Sequence, residues 1–154
     1  MASVGQYLQP LLLQSVFGGG ASQAQWTGVG TLYIGVSTQA WSATVTDANL
    51  KTGEPTSTGG YARIGVTNNT TNWPAATGSN PATSKLAVSF SFPASTAAWS
   101  TGATALASFF VADAATLAGG NLLWSGPLSP ATDIVNGSGV TFTFAANALQ
   151  TTLT

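Results

Sequence analysis

Leu86-Ala87-Val88-Ser89-Phe90-Ser91-Phe92 alternates without a break, large apolar residues at one set of positions and Ala or Ser at the other. Val140-Thr141-Phe142-Thr143-Phe144 repeats the pattern with Thr. Successive side chains of a strand point to opposite faces, so this period of two marks strands buried on one side. Working outward, residues 31–37, 61–67, 106–112, 122–125 and 149–154 are rich in the β-branched, aromatic and apolar residues of strands. Turn-forming clusters separate them: Gly53-Glu54-Pro55, Asn80-Pro81, Gly119-Gly120-Asn121 and Asn136-Gly137-Ser138-Gly139. About seven short strands with turns between them predict an all-β fold, a single antiparallel β-sandwich of jelly-roll or Ig-like type.

The start of the chain follows another period. Val4, Tyr7, Leu8, Leu11 and Leu12 fall at helical spacing, with Ser3 as an N-cap and Pro10 as a bend. Gly18-Gly19-Gly20 then ends the helix and supplies a hinge. The expected organisation is a short N-terminal α-helical arm with its hinge over 1–20, followed by a sandwich domain over 21–154. Such an arm packs on its own domain or on a neighbour, which makes Tyr7, Leu8, Leu11, Leu12 and Phe17 candidate assembly contacts. Two longer loops, 38–59 and 68–84, each carry a Trp, Trp41 and Trp73. These are candidate exposed loop contacts, or else they fold over the edge of the sandwich.

Only seven residues are charged: Asp47, Lys51, Glu54, Arg63, Lys85, Asp113 and Asp133. That is 5 % of the chain, against about 25 % in an average soluble domain. There is no His and no Cys, which excludes disulfides, thiolate and imidazole metal sites and a Ser–His–Asp triad. Four carboxylates in separate turns make neither a calcium loop nor an evident catalytic pair. Asp113 is expected to bond the backbone N–H of Ala115 or Thr116. No cofactor is expected. Three scattered basic residues cannot neutralise a nucleic-acid backbone. The apolar run around Leu11-Leu12-Leu13 falls short of the roughly 20 residues that span a bilayer. No basic residue precedes Lys51 to head a secretory leader. Neither nucleic acid nor membrane is therefore expected as a partner. Arg63, in a predicted strand, is expected to form a structural ion pair or to touch a neighbouring subunit.

Several segments together resemble a family of small tailed-bacteriophage virion proteins commonly labelled phage tail-fibre proteins. They are Leu32-Tyr33-Ile34-Gly35-Val36-Ser37-Thr38, Glu54-Pro55, Gly59-Gly60-Tyr61-Ala62-Arg63 and Val66-Thr67-Asn68-Asn69-Thr70-Thr71-Asn72-Trp73. Phe92-Pro93, Thr96-Ala97-Ala98-Trp99, Phe109-Phe110-Val111-Ala112-Asp113-Ala114 and Gly119-Gly120-Asn121-Leu122-Leu123-Trp124-Ser125-Gly126-Pro127-Leu128 follow in order. The chain departs from the family pattern at 103–108, which lacks a His, and in a longer 38–53 loop. The resemblance implies a β-sandwich virion component without enzymatic activity, assembled in the host bacterial cytoplasm. Its partners would be copies of itself and other virion proteins, either the major capsid protein or tail proteins. A sparsely charged surface suits permanent contacts of that kind. The expected role is capsid decoration, a cement protein stabilising the head. The alternatives are a tail-fibre component or a module binding a host surface glycan through Trp41, Trp73, Trp99 and Tyr61.

Overall fold

The computed structural model describes residues 3–7, 9–10, 29–42, 44–78, 82–100, 104–132, 134 and 139–153. Among the described residues nine strands form three antiparallel groups: β1 (Ser3–Val4), β2 (Thr31–Ser37), β3 (Ile64–Thr67), β4 (Ala82–Lys85), β5 (Phe90–Ser91), β6 (Leu106–Ala112), β7 (Leu122–Thr132), β8 (Thr143–Phe144) and β9 (Gln150–Leu153). The largest group is a five-stranded sheet in the order β1-β7-β6-β2-β3. Its centre is the pairing of β6 with β2 (Tyr33 opposite Ala112, Ser37 opposite Ser108) and with β7. The β6–β7 register slips between Val111 and Ala112, which leaves Leu123 as an extra residue in β7.

The two small groups, β4–β9 and β5–β8, lie in line as one irregular ribbon. Main-chain bonds bridge them: Leu86 N–H donates to Leu149 O (2.9 Å) and Asn147 N–H to Leu86 O (2.8 Å). Beyond β5 the ribbon runs on through Phe92 N–H to Phe142 O and Ser95 N–H to Val140 O, each 2.8 Å. The alternation at 86–92 and 140–144 thus places the side chains correctly except at Val140, which is 43 % exposed, and overstates the regular pairing. Asn147, with φ +64°, marks the break. Ala82–Lys85, expected as loop, forms β4.

Between ribbon and sheet lies the main core. Leu86, Phe92, Phe144 and Leu149 pack against Ile34, Val36, Phe109, Val111 and Trp124. The rings interlock, with Phe90 stacked on Phe144 at 5.0 Å and Phe109 edge-on to Trp124 at 5.5 Å. Such pairs contribute roughly 0.5–1.5 kcal/mol each beyond their buried area.

The sheet is covered on its other face as well. Phe110, Ala112 and Leu122 pack there with Leu50. Leu50 belongs to a short helix, Asp47–Thr52, inside the long 38–59 connection. Thr46 caps that helix by accepting the Asn49 N–H (3.2 Å). Being covered on both sides, the sheet buries Ser37, Ser108 and Ser125 at 0–3 % exposure. Ser37 satisfies its hydroxyl by donating to Leu50 O (2.8 Å) and Ser108 by donating to Gln39 O (2.8 Å).

The N-terminus differs from expectation. Ser3 is no helix cap, because Ser3–Val4 pairs antiparallel with Ser125 and Trp124 at the edge of β7. Edge pairing gives these backbone groups partners that a frayed first turn would lack. Helical backbone begins only around Gln9 and Pro10. Among the described residues no helix is long and apolar enough to cross a membrane.

Candidate functional site

The turn between β6 and β7, residues 113–121, gathers four of the seven charged residues of the chain. Asp113 accepts the Asn121 backbone N–H on Oδ1 and its side-chain amide on Oδ2, both at 2.7 Å, which closes the neck of the turn. This replaces the expected bonds to Ala115 and Thr116. Lys51, at the end of the helix, donates to Gly120 O. Arg63 donates from Nη1 to Ala114 O (2.8 Å) and Gly119 O (3.2 Å). Glu54 Oε2 accepts the Ala118 N–H (2.7 Å).

Arg63 and Glu54 also hold each other. Arg63 Nε donates to Oε1 (2.7 Å) and Nη2 to Oε2 (2.8 Å), with both side chains at 0–1 % exposure. The guanidinium lies 5.0 Å from the centre of the Phe110 ring. A Cβ at Gly35 would come 2.4 Å from that ring, so the β2 backbone must carry glycine for Phe110 to lie under Arg63. Tyr61 completes the cluster. Its hydroxyl donates to Glu54 Oε1 (3.1 Å) and accepts the Val36 N–H (3.0 Å). Val36 lies two residues beyond the last β2–β3 rung, Ile34 opposite Ile64, so the phenol continues a ladder that has run out of strand. Burial first, and then the Glu54 carboxylate beside it, keep that hydroxyl protonated well above the usual tyrosine range.

Chemically this cluster is closed. Glu54 accepts from four donors and every nitrogen of Arg63 is used. A carboxylate so saturated has no lone pair aimed at a substrate. The arrangement fixes the turn, Leu50 and its helix to one end of the sheet. Among the described residues no group of His, Cys, Asp or Glu could hold a metal. A groove of about 360 Å³ between β7 and β8 is lined by Phe109, Leu128, Pro130, Phe142 and Phe144 without an ionisable side chain.

The remaining candidates are dispersed. Tyr7 follows β1 and is 42 % exposed. Leu8, Leu11, Leu12 and Phe17 lie outside the described residues, as does Asp133. Arg63, a candidate assembly contact, is buried, with each of its nitrogens bonded inside the chain and an ion pair to Glu54. Trp73 is half-buried and packs against the main core. The asparagines before it fold the loop: Asn69 Oδ1 accepts the Asn72 N–H (2.8 Å) and the Asn72 amide donates to Thr67 O (2.9 Å). Trp41 is half-buried, and its indole N–H has no partner among the described residues. Tyr61 and Trp99, considered as sugar-stacking faces, are 2 % and 5 % exposed and stand edge-on to each other in the core.

The sequence did not identify Glu54 as the partner of Arg63. The signal was present in Glu54-Pro55 and Gly59-Gly60-Tyr61-Ala62-Arg63, where a short glycine turn brings acid and base back together.

A family model described as Podophage GP4 fiber I protein gp80 matches residues 3–152. No curated protein matches the chain.

Proposed function

We propose a tail-fibre role for this chain, which belongs to the family of the Podophage GP4 fiber I protein gp80. The chain is a structural component of a phage virion and associates there with other virion proteins. Within that frame the tail-fibre assignment, one of the two alternatives read from the sequence, takes precedence over capsid decoration. The observation that carries it is the family match, which covers both layers of the sandwich and the N-terminal strand.

The reading is of a non-enzymatic building block, assembled in the host cytoplasm together with copies of itself. Its sparse charge supports this. Lys51, Glu54, Arg63 and Asp113 are committed to one turn, and the outer surface of the described residues is largely Thr, Ala, Ser and Asn. Such a surface suits permanent neighbours more than free diffusion. A pinned turn and a sheet packed on both faces give those neighbours a rigid partner.

Copy number tests the assignment. Quantitative mass spectrometry of purified virions should find this chain at a handful of copies per particle. Hundreds of copies, in step with the major capsid protein, would return the chain to the head.

A further inference from the structure

We infer that β1 is an exchangeable strand, and that its partner in the assembled particle is the β7 edge of a second copy of this chain. The inference rests on the reading of the chain as a repeated virion component and names the contact between copies.

The docking site is built for this segment. Val4 and Ser3 lie opposite Trp124 and Ser125, and Gly5 N–H donates to Leu123 O at 2.7 Å. Gly5 is buried, and a Cβ there would sit 1.9 Å from Leu122 O. Only glycine allows the backbone to come so close, which is a specific fit of this tripeptide to this edge. The fit is also local. As a strand β1 pairs with β7 alone, and the next residue, Gln6, donates its N–H to Asp47 Oδ1 (3.4 Å) and accepts the Asp47 N–H on Oε1 (3.5 Å).

Nothing in that contact depends on which copy supplies the strand. Every hydrogen bond made within one chain is remade between two, so the choice is set by reach and local concentration. The chain from Gly5 to Val29 can span at most roughly 80 Å, about twice the width expected of a domain this size. Neighbours held side by side in a particle lie within that span, and exchange then adds the contacts between copies. Beyond the pairing, Tyr7 stays 42 % exposed, free to meet the surface of the copy that receives the strand.

Light scattering on the full chain tests this together with Gly5→Val, which blocks the close approach. The wild-type chain should have the mass of an oligomer at high concentration. Gly5→Val should fall to monomer mass with its far-UV spectrum unchanged. A wild-type monomer, or a Gly5→Val oligomer of unchanged mass, overturns the proposal. Should Gly5→Val not fold, Ser3→Cys and Ser125→Cys are made in separate chains, mixed and oxidised. A disulfide between the two different chains is expected; its absence, with each variant folded, overturns the exchange. Virion copy number is an independent readout, so a monomeric chain at tail copy number sinks only the exchange.

Discussion

Arg63 and Glu54 show what a rare charge does in an uncharged protein. Buried pairs of this kind add little net stability over apolar residues, yet losing one partner strands the other. Arg63→Met should therefore cost about 3–5 kcal/mol in urea denaturation, and adding Glu54→Leu should recover part of that loss. A double-variant loss equal to the sum of the two single losses would mean that the pair is not coupled. Tyr61 gives the cluster a pH signature. Its phenol holds its proton more tightly folded than unfolded, so its contribution is complete below the unfolded value of 10.0 and is lost as pH rises above it. Urea midpoints should fall above pH 10, and Tyr61→Phe should remove that part of the fall. The same variant leaves the Val36 N–H without an acceptor, at a cost of about 1–3 kcal/mol at neutral pH. An unchanged alkaline profile in Tyr61→Phe would place the titration elsewhere. That Arg63 needs a partner could be read in the sequence from a charge in an apolar strand. Which of four acids it meets could not, because the pairing depends on the return path of the 54–63 turn.

The elements were legible where one physical rule acted alone. Residues 31–37 and 106–112 are rich in strand-forming residues and form central strands over just those bounds. Residues 86–92 obeyed the alternation rule in their side chains, but their main chain changes partner from β9 to β8 with a one-residue slip. Slips of this kind come from pairing across the molecule and leave no local mark. The helix Asp47–Thr52 did leave one: Thr46 as cap, Asp47 in the first turn, Lys51 in the last and Gly53 after it. It was missed because six residues are too few to display a helical period. The cap is accordingly important to so short a helix, and Thr46→Ala should destabilise the protein by about 1 kcal/mol. A change indistinguishable from zero would show that Leu50 burial alone holds the helix. At the N-terminus the helical spacing of Val4 and Tyr7 concealed a strand, since a two-residue strand has no period to read.

The scarcity of charge takes on a definite meaning in the whole molecule. In the sequence alone it implies a surface met by other chains. The structure adds that four of the seven charges serve an internal purpose, pinning one turn and one helix to the sheet. Three of them, Glu54, Arg63 and Asp113, lie in segments that carry the family resemblance: Glu54-Pro55, Gly59-Gly60-Tyr61-Ala62-Arg63 and Asp113-Ala114. The motifs thus specify a rigid scaffold, and position on the particle depends on surfaces that local pattern does not encode. Location is therefore the central claim and is best tested by direct imaging. A cryo-EM reconstruction of the virion should place this fold in the tail fibres, with density for the five-stranded sheet and its ribbon repeated around the tail axis. Finding it on the capsid lattice, with none at the tail, would contradict the account.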